Sequence, residues 1–187
     1  MQLLELELNG CFIVRPGSID DERGNFRKVF HEPTFTANGL ESEFKESYVT
    51  TSHLGVIRGM HFQTPPFDHA KLVCCLTGSA QDALVDLRKG SPTFGKSISL
   101  RLTEEESEIL YIPRGIAHGF AALQDQTRMW YMVTSAYNPN ADSGVRWDSI
   151  GVNWQIETLG SVEPIISTRD RSFLPLDEFE TPFRFQG

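Results

Sequence analysis

The stretch Lys71-Leu72-Val73-Cys74-Cys75-Leu76-Thr77-Gly78-Ser79-Ala80-Gln81-Asp82-Ala83-Leu84-Val85-Asp86-Leu87 decides how the chain is read. Two runs rich in apolar and β-branched residues flank Thr77-Gly78-Ser79-Ala80, which predicts a β-hairpin. Side chains alternate along a strand, so Lys71, Val73 and Cys75 share one face of the first run, and Asp82, Leu84 and Asp86 share one face of the second. A carboxylate turned into a barrel interior needs a partner. Lys71 is the nearest candidate for Asp82, and a solvent-facing Asp82 is the alternative. Adjacent Cys74 and Cys75 point to opposite faces, and with Cys11 they make an odd count without C-x-x-C spacing. Reduced cysteines acting as small apolar fillers are expected.

Outward from this stretch the same cadence continues. Short β-branched or aromatic runs fall at 11–15, 26–30, 47–53, 56–63, 96–102, 109–112, 118–123 and 129–135, separated by Pro16-Gly17, Arg23-Gly24-Asn25, Thr64-Pro65-Pro66, Lys89-Gly90-Ser91-Pro92 and Asn138-Pro139-Asn140. That punctuation predicts an all-β sandwich, jelly roll or barrel. Helix is expected only as a turn or two at 32–39 and after Thr103, where Thr103-Glu104-Glu105-Glu106 resembles a capping box. From about residue 150 the cadence fades into a less regular segment. The chain contains no repeat or linker, and its 187 residues, 40% of them hydrophobic, fit one domain, 1–187.

Formal charge is −8, so a broad footprint for nucleic acid is not expected. No stretch approaches the roughly 18 apolar residues of a membrane span, and the start lacks a secretory pattern, which makes a cytoplasmic protein the default. A phosphorylated small molecule needs only a few local cations. Arg23, Arg58 and Lys71 are candidates.

Two histidines sit in strand-like stretches, Val56-Ile57-Arg58-Gly59-Met60-His61-Phe62-Gln63 and Ile112-Pro113-Arg114-Gly115-Ile116-Ala117-His118-Gly119-Phe120. Alternation places His61 with Gly59 and Ile57, and Arg58 with Met60. A site using both Arg58 and His61 therefore needs a break in the pleat, and Gly59 is where a bulge is tolerated. His61-Phe62-Gln63 lacks the second histidine of a His-x-His metal pair, so no metal is expected. There is no Gly-x-Ser-x-Gly elbow, activated cysteine or phosphate-cradling glycine loop. Proton transfer at carbon remains. It requires a base at the C–H bond, cationic or hydrogen-bonding groups at the developing enolate oxygen, and an acid on the other face if configuration inverts. His61 suits the first role, Lys71 with His118 or Arg58 the second, and Tyr131 the third. A catalytic histidine also needs an acceptor on its other nitrogen, for which Asp170 is one of several acids.

The motifs Ile57-Arg58-Gly59-Met60-His61-Phe62-Gln63, Lys71-Leu72-Val73, 85–95, 112–120 and Gly144-Val145-Arg146-Trp147-Asp148 occur in order along most of the chain. Together they closely resemble the dTDP-4-dehydrorhamnose 3,5-epimerase family. The resemblance implies a cupin-type β jelly roll that forms a homodimer, uses no metal or organic cofactor, and epimerises a nucleotide-diphosphate-linked 4-keto-6-deoxyhexose. It implies that His61 is the base, Asp170 its orienting aspartate and Tyr131 the acid, with Lys71 and His118 near the keto oxygen. Arg23, Arg58 and Arg169 match substrate-binding positions, Asp142 takes the place of a substrate-binding glutamate, and Tyr137 matches a tyrosine that stacks on the base. By alternation, Tyr131 and Tyr137 share a face if their strand continues.

The chain departs from the family pattern at Lys28, at Glu46-Ser47-Tyr48, and at Cys74, Met132 and Ala136. Lys28, Glu46 and Tyr48 are taken as further substrate contacts. These departures leave the nucleotide open, and also whether C3, C5 or both invert. A single-centre epimerase or isomerase on another nucleotide sugar is the alternative reading. A metal-dependent cupin enzyme and a catalytically silent binding protein stand behind it.

Overall fold

In the computed structural model, residues 1–156 and 163–186 are described. Part of the expected irregular C-terminal segment, 157–162, and Gly187 lie outside the described residues. The strands are β1 (Gln2–Glu5), β2 (Phe12–Arg15), β3 (Ser18–Asp21), β4 (Gly24–Arg27), β5 (Glu46–Ser52), β6 (Ile57–Gln63), β7 (Lys71–Thr77), β8 (Ser79–Asp86), β9 (Ser97–Thr103), β10 (Ile109–Ile112), β11 (Ile116–Ala122), β12 (Thr127–Val133) and β13 (Asp142–Gly144). Among the described residues, helix is confined to α1 (Glu32–Ala37), α2 (Thr168–Arg171) and short 3-10 turns. Thr103 starts a turn rather than a helix. Its hydroxyl accepts from the Glu106 amide, but Ser107 takes a positive φ of 49°, and the chain enters β10 at once.

A six-stranded sheet, β1-β2-β10-β7-β12-β5, faces a five-stranded sheet, β13-β6-β11-β8-β9, while β3 and β4 pair as a separate two-stranded hairpin. All of these pairings are antiparallel. The architecture is the all-β jelly roll of cupins. The predicted hairpin at 71–87 is not formed. β7 pairs with β10 and β12, whereas β8 pairs with β11 and β9, so the chain changes sheets at Gly78, whose φ is +81°. Burial explains the outcome: β8 is buried along all eight residues and β7 along its first five, so each serves as a central strand with two neighbours of its own.

Three apolar layers follow. Between the sheets lie Val73, Cys75, Leu84, Phe120 and Met129, with Tyr131 among them. Outside the five-stranded sheet, Ile57, Met60 and Phe62 meet Val145, Ile150, Trp154 and Phe183 of the C-terminal segment. Outside the six-stranded sheet, Leu72 and Cys74 meet Phe35 of α1. Cys74 and Cys75 thus face opposite layers, and the burial of both pushes their thiols up, to about 11 and about 12. Among the described residues no helix is long and apolar enough to cross a membrane.

Candidate active site

The register of β6 against β11 sets the site. His61 lies opposite His118 and Arg58 opposite Phe120, so Gly59 and Met60 together face Gly119 alone. This is a β-bulge. Phe120 points into the space between the sheets, and directly paired residues project to the same side, so Arg58 and His61 both turn inward although they are three residues apart. Simple alternation had put them on opposite faces, and the break falls where Gly59 permits it. Gly59 has φ +147°, and a Cβ there would meet the Gly119 Cα at 2.5 Å. Met60 and Ile57 face the outer layer instead.

His61 Nε2 lies 2.8 Å from Asp170 Oδ1. The other oxygen, Oδ2, accepts the Gly59 amide at 3.2 Å. Ser167 caps α2 by accepting the Asp170 amide at 3.0 Å, which holds the carboxylate in place. Burial works to raise the Asp170 carboxyl, but the bonds from His61, Gly59 and Ser167 prevail and hold it below the usual carboxylate range. An ionised Asp170 draws the imidazole proton onto Nε2 and leaves the Nδ1 lone pair free. Burial lowers the affinity of His61 for a second proton, with Lys71 and Arg169 adding to this and Asp170 opposing it, so the ring is neutral near pH 7.

A cavity of about 290 Å³ opens beside His61, lined also by Glu46, Tyr48, Lys71, Tyr137, Asp142 and Arg169. Lys71 donates from Nζ to the His61 carbonyl at 3.1 Å. Burial pulls its ammonium down to about 8, against the pull of Asp82 and Asp142. At the rim, Arg169 pairs with Asp142 at 2.7 Å and lies over the Phe173 ring. The Tyr137 hydroxyl reaches Asp142 Oδ2 at 3.3 Å, and its amide donates to Glu46 Oε2 at 2.8 Å.

Other expected residues are placed differently. Asp82 is fully buried, as a carboxylate facing the interior must be, but its direct partner is His118 Nε2 at 2.9 Å rather than Lys71. The reason is topological: β8 sits beside β11, while Lys71 is in the facing sheet. Tyr131 does not share a strand face with Tyr137, because β12 ends at Val133 and Tyr137 follows in a loop. Tyr131 lies beside Tyr48, its ring stacked on that of Tyr48 at 4.8 Å and 17°, but it is buried and does not line the cavity. Arg58 donates to the Ser52 hydroxyl at 3.1 Å and the Thr51 carbonyl at 3.3 Å, next to the cavity rather than on its wall. Arg23 and Lys28 do not join the cavity within this chain. Arg23 is tied to Asp21 in the exposed β3–β4 hairpin, and Lys28 follows that hairpin.

The structure also brings in residues that sequence reasoning missed. Gln63 accepts the Asn138 amide at 2.6 Å and donates to the Phe67 carbonyl at 2.9 Å, joining two loops at the cavity. His69 lines the wall, and burial pushes its imidazole down to about 2, so it stays neutral. Its place two residues before Lys71 was the available signal. Phe173, whose ring meets His61 edge-on at 5.9 Å, carried none. Among the described residues, no three His, Cys, Asp or Glu side chains gather so as to hold a metal ion.

Comparison with known proteins places this geometry. The family model for dTDP-4-dehydrorhamnose 3,5-epimerase matches residues 5–178. A dTDP-4-dehydrorhamnose 3,5-epimerase of Methanothermobacter thermautotrophicus is 40% identical over 179 residues, 95% of each chain. The structure of a Legionella pneumophila dTDP-6-deoxy-D-glucose-3,5-epimerase in complex with dTDP-4-keto-L-rhamnose superposes with a TM-score of 0.91 at 28% identity, covering 100% of this chain and 99% of that one. A 3'-monoepimerase from Streptomyces bikiniensis in complex with dTDP-quinovose gives 0.84 at 29% identity, covering 92% and 86%. With the bulged β6 motif, the His61–Asp170 pair and a match over nearly its whole length, this chain belongs to the dTDP-4-dehydrorhamnose 3,5-epimerase family of isomerases.

Proposed function

We propose that this protein epimerises a nucleotide-diphosphate-linked 4-keto-6-deoxyhexose of the dTDP-4-dehydrorhamnose type at C3 and C5, by removing and returning protons and without metal or organic cofactor. The observation that carries the reading is the His61–Asp170 pair at a cavity lined from the other sheet by Lys71 and Tyr48, with the Tyr131 ring stacked on Tyr48. His61 Nδ1 takes the proton next to the keto carbon. Asp170 stabilises the imidazolium that forms, and the Lys71 ammonium offsets charge on the enolate oxygen. His118, held by Asp82, backs that oxygen position. Tyr131 acts as acid from the sheet opposite His61, the direction from which a returned proton inverts the carbon.

Arg169 and Arg58 supply charge for the diphosphate. Tyr137, 61% exposed at the rim, offers a ring for the base, and Glu46, Tyr48 and Asp142 offer hydrogen-bonding groups. Arg23 and Lys28 reach a site only in a homodimer in which the N-terminal hairpin adds to the partner's sheet. The exposure of Ile19 (66%) and Phe26 (58%) on that hairpin supports this, because apolar side chains gain from being covered. Light scattering at micromolar concentration should give a dimer, and a monomer contradicts it. We take residues 1–187 to act as one domain, since Ile150, Trp154, Ile156 and Phe183 pack on the five-stranded sheet, and we assign the protein to the cytoplasm.

The direct test is incubation with nucleotide 4-keto sugars in deuterated water, read by NMR. Label at C3 and C5 with inverted product is expected, and its absence from every sugar tried refutes the reading. Inversion at one centre is the second reading, favoured by the likeness to a 3'-monoepimerase. Label and inversion confined to one carbon would select it.

A further inference from the structure

We propose that Tyr48 is a second proton donor, serving one of the two carbons flanking the keto group while Tyr131 serves the other; this rests on the epimerase reading above. Tyr48 and Tyr131 are direct partners across β5 and β12, so their side chains leave the six-stranded sheet on the same inner side, towards the sheet that carries His61. Their rings stack 4.8 Å apart and within 17° of parallel. Tyr48 lines the cavity with His61, and is 40% exposed against 5% for Tyr131. Two phenols thus stand side by side on the sheet across from one base, Tyr48 the more exposed of the two. That geometry suits a ketone with an acidic carbon on either side.

Recharging favours a division of labour. Burial raises Tyr48 to about 12, with Glu46 and Asp142 adding to it, and raises Tyr131 well above 10, with Asp82 and Tyr48 adding to it. Both therefore hold a proton until an enolate carbon takes it. In each half-reaction His61 removes a proton, the C–H electron pair becomes the enolate, and a tyrosine O–H breaks as a new C–H bond forms on the opposite face. The phenolate then takes a proton from water and the imidazolium gives one up, so the cycle balances. Tyr48 meets solvent at the cavity. Tyr131, 5% exposed and in ring contact with Tyr48 and His118, lies farther from solvent, which disfavours its use for a second inversion within one visit of the substrate.

The test is Tyr48→Phe beside Tyr131→Phe, each retaining the ring, with deuterium entry and inversion followed separately at C3 and C5. Expected is a loss of inversion of about 10²-fold at one carbon in Tyr48→Phe, with label still entering there because His61 can return a proton on its own face, and the complementary loss in Tyr131→Phe. Inversion of both carbons at wild-type rate in Tyr48→Phe overturns the proposal. Equal loss at both carbons also overturns it, as does a wild type that inverts only one. Failure of the wild type to label any keto sugar defeats the epimerase reading itself and is thereby distinguished.

Discussion

His61–Asp170 and His118–Asp82 are two histidine–carboxylate pairs of nearly equal length, 2.8 and 2.9 Å, and their histidines lie directly opposite each other on β6 and β11. Their surroundings differ. The His61 side chain is 29% exposed and faces the cavity, whereas that of His118 is 4% exposed and Asp82 is sealed. Both Asp170 oxygens have donors, from His61 and from the Gly59 amide. Among the described residues, Asp82 has His118 on Oδ2 and no hydrogen-bond partner on Oδ1. Burial accordingly raises the Asp82 carboxyl, with His118 and Lys71 pulling the other way, while Asp170 is held low. The same two residue types thus stand in two settings, one pair open to a cavity and the other sealed in the core, and the proposed roles of base and support divide along that line.

The sharpest way to break this comparison is to remove each histidine in turn. His61→Ala should cut carbon-bound deuterium exchange by about 10²–10⁴-fold or more, with a smaller loss of stability than His118→Ala, because Asp170 keeps the Gly59 amide and the gap opens onto the cavity. His118→Ala leaves Asp82 buried without its partner and should cost about 3–5 kcal/mol in urea unfolding. If the stability loss follows His61 and the exchange loss follows His118, the assignment of the two pairs is reversed. A smaller effect is expected of Asp170→Asn, which keeps a hydrogen bond to the ring but not the charge that stabilises the imidazolium. Exchange should fall by ~10²-fold with nucleotide affinity, by calorimetry, close to wild type. Equal losses in affinity and exchange would mean that Asp170 shapes the cavity rather than serving the base.

The smallest effects are in pH dependence. Because the folded-state affinity of His61 for a second proton is below that of a free imidazole, the neutral base persists below pH 6.5 and exchange declines only as pH falls through the lowered value. The Lys71 ammonium is lost as pH rises through about 8, so an alkaline limb should appear there. Lys71→Met should lower the rate and abolish that limb. Persistence of the limb in this variant would assign it to another group.

Residues close in sequence were readable because alternation and turn punctuation act locally. The two faces of Cys74 and Cys75, the strand bearing His61 and the need for a break at Gly59 all follow from the period of a strand and the freedom of glycine. The family motifs nominated His61, Lys71, His118 and Asp170 for the site, since they preserve residue order regardless of fold geometry. The helix expected after Thr103 shows the limit of local reading, since the capping hydroxyl bond formed without a helix to cap.

Period two tells which side of a strand a residue takes but not which strand lies beside it. Lateral neighbours come from long-range pairing, so only the tertiary structure sent β8 to the sheet opposite β7 and gave Asp82 to His118 instead of Lys71. The meeting of His61 with Asp170, 109 positions away, depends on α2 docking beside the β6 bulge. Tyr48 beside Tyr131 follows from the register of β5 on β12, which burial of the inner face specifies and no local pattern records.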